Sequence, residues 1–216
     1  TRILVLHGFC DSAQRRQNQM HSLIRSMKDI EFVFIDAPFI FIDYGSTILS
    51  NESSSEKRYQ WMSYKPEWSV TSYNYDTIKE SIEYVTKYIN ENGPFDGLLG
   101  FSQGAIVCVV ITLNILQWPI LPNCIKFIIV IGCPPINDET IKPALEALDR
   151  KNQLTPSLHI SGINDILVTP EMSRTVFEYF NPLVAEFYLH KGGHYCPNDS
   201  NFRHKLRDFF QRIHHV

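Results

Sequence analysis

The hydrophobic pattern alternates between two kinds of segment along most of the chain. Short, wholly apolar runs of four or five residues (Ile3 to Leu6, Phe32 to Ile35, Phe127 to Ile131) are too short for helices and lack the alternation of a half-wet strand. They predict strands covered on both faces. Two further segments, residues 157–161 and 185–190, mix apolar with polar residues and also read as strands, and Leu98 with Leu99 marks another strand. Between them lie segments with apolar residues at helical spacing: Met20, Leu23, Ile24 and Met27 within residues 14–27, and Ile78, Ile82, Val85 and Ile89 within residues 76–91. Residues 103–116, about 170–180 and 201–213 complete the predicted helices, with Trp118 and Pro119 stopping the third. Strand and helix alternating in this way predict an α/β fold with a mostly parallel, doubly wound sheet, helices on both faces and right-handed crossovers.

The alternation fails once, over residues 39–75, where Phe39, Phe41, Tyr44, Tyr59, Trp61, Tyr64, Trp68, Tyr73 and Tyr75 surround a polar segment at 51–57. An irregular stretch of this length inside a compact domain commonly carries function. Its aromatics suit two roles, packing against the sheet or lining a substrate site.

In doubly wound sheets chemistry collects in the loops after the carboxyl ends of strands. Four such loops stand out: His7-Gly8-Phe9, Gly100-Phe101-Ser102-Gln103-Gly104, Asn164-Asp165 and Gly193-His194. The pentapeptide fits a sharp strand-to-helix turn that exposes the serine hydroxyl, because a side chain at either glycine would collide with neighbouring backbone. A chance Gly-x-Ser-x-Gly in a chain this long has a probability of roughly 0.04, so its context carries the weight. That context is the chain order serine, acid, histidine.

A serine needs an imidazole to take its proton and a carboxylate to fix the imidazole's tautomer. Downstream of Ser102, His159 and His190 fall within strand patterns and His204 within a helix pattern, whereas the Gly192-Gly193 pair puts His194 on a loop that can bend inward. Asp165 alone among the intervening acids directly follows a short apolar strand; Asp138, Asp149, Glu139, Glu146 and Glu171 read as surface or caps. The catalytic candidates are therefore Ser102, Asp165 and His194. The oxyanion donors expected with them are the backbone N–H groups of Gln103, at the start of its helix, and of Phe9, where Gly8 leaves room. His7 reads as a structural hydrogen-bonding residue, since the triad already has its base. Cys10 and Cys196 flank the site as small apolar fillers, and no metal-ligand spacing joins them.

Composition narrows the setting. A chain of 216 residues with 44% hydrophobic content suits one α/β domain, 1–216. A net charge of −3 with interspersed signs offers no basic stripe for nucleic acid, and no apolar run approaches the roughly 20 residues that span a bilayer. Five cysteines without C-x-x-C spacing argue against a disulfide framework and favour a reducing, cytoplasmic setting. Thr1 directly precedes a strand-like run without an initiator Met, so the natural N-terminus and a cleaved signal stay open.

On His7-Gly8-Phe9, on Gly93-Pro94-Phe95-Asp96-Gly97 running into the serine pentapeptide and Ala105, on Pro156-Ser157-Leu158-His159 with Asp165, and on Gly192-Gly193-His194-Tyr195-Cys196-Pro197, the chain resembles the FSH family of serine hydrolases, within the α/β-hydrolase superfamily. The resemblance spans nearly the whole chain and is weakest over 39–75 and 112–125. It implies the α/β-hydrolase fold, a Ser102-His194-Asp165 triad, and hydrolysis of carboxylic esters of an apolar acyl group, or of thioesters on a carrier or protein, with no metal or organic cofactor. The expected partner is a small-molecule acyl ester or thioester. A non-catalytic, ligand-binding relative is the alternative from another class. Where the family often has Gln-Ser, this chain has Asp11-Ser12; Asp11 is expected to face away from the site or to cap the following helix.

Overall fold

The computed structural model describes residues 1–42, 57–63, 75–115 and 125–214. Six strands form one sheet: β1 (Arg2–Leu6), β2 (Glu31–Ile35), β5 (Gly97–Phe101), β6 (Phe127–Ile131), β7 (Ser157–Gly162) and β8 (Ala185–His190). Their spatial order is β2-β1-β5-β6-β7-β8, and every neighbouring pair is parallel. The chain steps outward from β1 to β2, then returns to the other side of β1 and runs outward again from β5 to β8. The direction of winding therefore reverses between β1 and β5, which opens a crevice at their carboxyl ends.

Residue alternation along the strands divides the core. Leu4 and Leu6 join one cluster with Leu98, Ile128 and Val130, covered by α2 (Tyr75–Asn92) and α3 (Gln103–Thr112). Ile3 and Val5 join the other with Leu99, Ile129 and Ile160, covered by α1 (Ala13–Ser26) and α6 (Ser200–His214). Along α3 every residue from Gln103 to Ile111 is buried, so this helix is apolar on all sides because α2 covers what the sheet does not. It stops at Thr112, four residues short of the expected end. Asn114 closes it by adopting φ 46°, a left-handed conformation that Asn tolerates. Leu116, Trp118 and Pro119 lie outside the described residues.

The stretch 39–75 is not wholly irregular. Phe39–Ile40 (β3) pairs antiparallel with Tyr59–Gln60 (β4), and Tyr59 extends the pairing to Asp11 through two backbone hydrogen bonds of 3.3 and 2.7 Å. Trp61 and Met62 then enter the core completely, with Trp61 among the largest fully buried side chains. For Trp61, then, packing is the observed role. Phe41 packs edge-on against Phe9, ring centroids 5.1 Å apart. Tyr44, Tyr64, Trp68 and Tyr73 lie outside the described residues, and Tyr75 already belongs to α2. Two short elements, α4 (Lys142–Glu146) and a single 3₁₀ turn at Arg150–Asn152, fill the β6–β7 connection, and α5 (Pro170–Phe177) the next.

Candidate active site

Ser102 stands between β5 and α3 with φ 53° and ψ −116°. An L-residue there stores strain on the order of 1–3 kcal/mol, which the surroundings must enforce. They do so by close packing. A Cβ on Gly100 would lie 2.5 Å from the Ala105 Cα, and one on Gly104 would lie 2.4 Å from the Leu6 carbonyl oxygen. Both glycines of the pentapeptide are thus required by backbone approaching backbone. The Ser102 hydroxyl caps no helix N–H, its own N–H is held by the Ile131 carbonyl at 2.9 Å, and the residue is part-exposed.

Asp165 and His194 meet. The His194 Nδ1–H donates to Asp165 Oδ2 at 2.6 Å, and Asp165 Oδ1 accepts from the N–H groups of Val168 at 2.8 Å and Leu167 at 3.0 Å. An ionised carboxylate only accepts, so the imidazole tautomer is fixed with its proton on Nδ1 and its Nε2 lone pair available. Burial opposes the Asp165 charge, but the bonds from His194 and Val168 outweigh it and hold the carboxyl below its ordinary value. With side-chain exposures of 1% for Asp165 and 16% for His194, the acid is sealed and the base meets solvent on one side.

Backbone contacts join the loops that carry the pair. The Ile163 N–H donates to His190 O and the Asn164 N–H to Gly192 O, while Asn164 Nδ2 donates to Lys191 O at 2.8 Å. Asn164 is therefore a staple between the two loops. Gly162 permits the contact, since a Cβ there would lie 2.4 Å from the carbonyl oxygens of Gly192 and Gly193.

The serine turn abuts this pair. The Phe101 ring lies 4.8 Å from the His194 ring, centroid to centroid. Gly132, directly after the strand that holds Ser102 N–H, takes φ +56°; a Cβ on it would stand 3.0 Å from His194 Cε1. Gly132 is a site residue the sequence reading missed, although its place at a strand end before Cys133-Pro134-Pro135 was a usable signal. On the other side, a Cβ on Gly8 would approach the Ser102 Cβ to 3.4 Å, which puts Phe9 one residue from the serine. Among the described residues the Gln103 N–H makes no backbone hydrogen bond.

Asp11 neither faces away nor caps α1. It is buried, accepting from the Ser12 N–H at 2.9 Å and from the Arg16 guanidinium at 2.6 Å, while the cap is Ser12 Oγ, which accepts from the Arg15 N–H. Arg16 in turn lies 3.9 Å over the Phe101 ring. Arg15 Nε lies 3.7 Å from Asp11 Oδ1 as well, so two guanidiniums, four and five residues on, neutralise the carboxylate in place. A cavity of about 700 Å³ opens here, its walls including Phe9, Asp11, Arg16, Phe101, His194 and Tyr195.

His7 is buried and purely structural in its bonding: it accepts the Ala37 N–H on Nε2 at 3.0 Å and bonds the Gly8 carbonyl through Nδ1 at 2.7 Å. Burial lowers its pKa. His159 is also buried and its pKa is pushed down to about 3 by burial; His190 accepts the Gly192 N–H. Cys10 and Cys196 line the cavity, and among the described residues no group of His, Cys, Asp and Glu could hold a metal ion. No described helix is long and apolar enough to cross a membrane.

A parallel sheet wound from a switch point, with a strained serine turn beside a carboxylate-bound histidine, defines an α/β-hydrolase. Residues 1–206 match the serine hydrolase (FSH1) family, and the chain belongs to that family. It is 31% identical to "Esterase C25G4.2" of Caenorhabditis elegans over 97% of this chain and 92% of that protein. It is 29% identical to "Rhodanese-like domain-containing protein 6" of Arabidopsis thaliana over 98% of this chain, but spans only 39% of that protein. Among solved structures, acyl-protein thioesterase 2 of Zea mays superposes with a TM-score of 0.71 at 16% identity, covering 99% of this chain and 93% of that one, a likeness of fold.

Proposed function

We propose that residues 1–216 form a single catalytic domain that hydrolyses carboxylic esters through an acyl-enzyme on Ser102. In this reading Ser102 Oγ attacks the acyl carbon and His194 Nε2 takes the hydroxyl proton. The charge that develops on the carbonyl oxygen is met by the backbone N–H groups of Phe9 and Gln103. Collapse of the tetrahedral intermediate breaks the bond to the leaving oxygen or sulfur, which receives the proton from His194. Water, deprotonated by the same nitrogen, then releases the acid. Asp165 holds the imidazole tautomer throughout and offsets its positive charge.

The observation that carries the reading is the 2.6 Å bond that commits His194 Nδ1 to Asp165, beside a serine in a left-handed turn. The names of relatives agree with ester chemistry. The cavity reaches His194, which must protonate the departing group, and its Asp11, Arg16 and Asn198 suit a polar leaving group. Ile166 and Leu167, exposed directly after Asp165, offer apolar surface on the loop of the acid that suits an apolar acyl chain. Thioesters differ only in the leaving atom and remain the alternative substrate. Steady-state hydrolysis of acyl esters and matched thioesters of graded length tests the reading: Ser102→Ala is expected to lose on the order of 10⁶ in kcat, and parental turnover by that variant would refute it.

A further inference from the structure

We propose that the strap of residues 59–62 is a clamp for the oxyanion hole, with the Gln103 side chain as its positioning residue; this rests on the reading above of Phe9 and Gln103 as donors. Donors help only if they are aimed before charge develops. Phe9 lies in a loop and Gln103 opens α3 straight out of the sharp serine turn, so something must fix their peptide planes.

Gln103 is completely buried, an unusual place for a primary amide. Its Oε1 accepts the Trp61 N–H at 3.0 Å and its Nε2 donates to the Met62 carbonyl at 2.8 Å. One side chain thus pairs with two successive residues of the strap as a strand would, which needs a donor and an acceptor on the same group. The strap is itself anchored: Ser81 Oγ bonds the Trp61 carbonyl, and Trp61 and Met62 are buried. The Ser102 carbonyl, on the peptide that carries the Gln103 N–H, accepts from Ala105 N at 3.0 Å. A planar trans peptide points its N–H opposite its carbonyl. Holding the side chain on one flank and that carbonyl on the other leaves the Gln103 N–H one direction.

The same strap reaches the second donor. Trp61 Nε1 donates to the His7 carbonyl at 2.8 Å, which also accepts the Gly104 N–H at 3.1 Å. The His7 ring, accepting from Ala37 on Nε2, carries its proton on Nδ1 and donates it to the Gly8 carbonyl. That carbonyl belongs to the peptide bearing the Phe9 N–H. Tyr59 pairs with Asp11 just beyond. Trp61 therefore holds both loops in one frame, and the strap does work that the aromatic content of 39–75 did not suggest.

The test is a set of three variants. Gln103→Met keeps the volume and loses both bonds; kcat is expected to fall about 10–100-fold with KM within about twofold, since misplacing a catalytic group by about 1 Å can cost 10²-fold. Affinity for a trifluoromethyl ketone of the same acyl group, which forms the oxyanion, falls by the same factor, while affinity for the corresponding methyl ketone, which does not, is kept. Trp61→Phe removes only the indole N–H and gives a smaller loss of the same kind. Gln103→Glu restores both bonds only as the neutral acid, so its kcat relative to the parent at each pH rises as pH falls. Unchanged kcat in Gln103→Met, or equal loss of both ketones, overturns the proposal. Should that variant not fold, a pH-independent ratio in Gln103→Glu overturns it. Active Ser102→Ala would instead sink the underlying reading, whereas inactive Ser102→Ala with unimpaired Gln103→Met would sink the clamp alone.

Discussion

Replacing Asp165 by Asn separates the chemical from the structural role of the carboxylate. Asp165 accepts three hydrogen bonds, from His194, Val168 and Leu167. An asparagine keeps its oxygen on the two loop N–H groups and turns its NH₂ towards His194. The imidazole must then accept at Nδ1 and carry its proton on Nε2, which leaves no base facing Ser102. A charge-assisted bond of about 1.5–3 kcal/mol is exchanged for a neutral one of about 0.5–1.5 kcal/mol, a net stability loss of about 1–2 kcal/mol. The kinetic loss is larger: the wrong tautomer costs on the order of 10⁴ in kcat, about 5.5 kcal/mol of barrier at 1.36 kcal/mol per tenfold. The assay is steady-state ester hydrolysis alongside thermal unfolding. The folded carboxyl titrates below its unfolded value of about 3.9, so its stabilisation is present above that pH and is lost as pH falls through the folded value. The stability gap between parent and Asp165→Asn should therefore be full at pH 7 and narrow below about pH 4. A folded Asp165→Asn protein within tenfold of the parental kcat would refute the reasoning.

Gly132→Ala should lower kcat at least tenfold and cost about 1–2 kcal/mol, because it forces a Cβ into φ +56° and to 3.0 Å from the His194 ring; parallel kinetics and melting check it. Arg16→Met removes the closer of the two guanidiniums on the buried Asp11 carboxylate, leaving Arg15 at 3.7 Å, and should cost at most about 3–5 kcal/mol in denaturant unfolding, with much of the loss recovered when Asp11→Asn is added.

The loops that carry the candidate site were legible because each follows a short strand-like segment, wholly apolar at Ile3 to Leu6 and apolar in part before Asp165 and His194. Phe127–Ile131 and Ala185–His190 are strands at the bounds their hydrophobicity predicts. Hydrophobic pattern also placed Ser102, Asp165 and His194 on loops at one end of the sheet. What pattern cannot encode is pairing at a distance. The β3–β4 ribbon has two residues per strand, too few for any period, and exists because Tyr59 reaches Asp11 across the chain. The Gln103 amide reads as an ordinary first-turn polar residue until Trp61 and Met62 arrive beside it, and the charge of Asp11 reads as a liability until Arg16 covers it. The early end of α3 turned on the local conformation of Asn114, which competes with a helical spacing that continued past it.

The central claim is that Ser102 is the nucleophile of an acyl-transfer cycle. Intact-protein and peptide mass spectrometry after brief mixing with a fluorophosphonate, or with a slowly deacylating ester, addresses it most directly. The account predicts one adduct per chain, on the peptide containing Ser102, absent in Ser102→Ala and slowed in Asp165→Asn. An adduct on another residue at the parental rate, or none from folded protein that still hydrolyses esters, would contradict it.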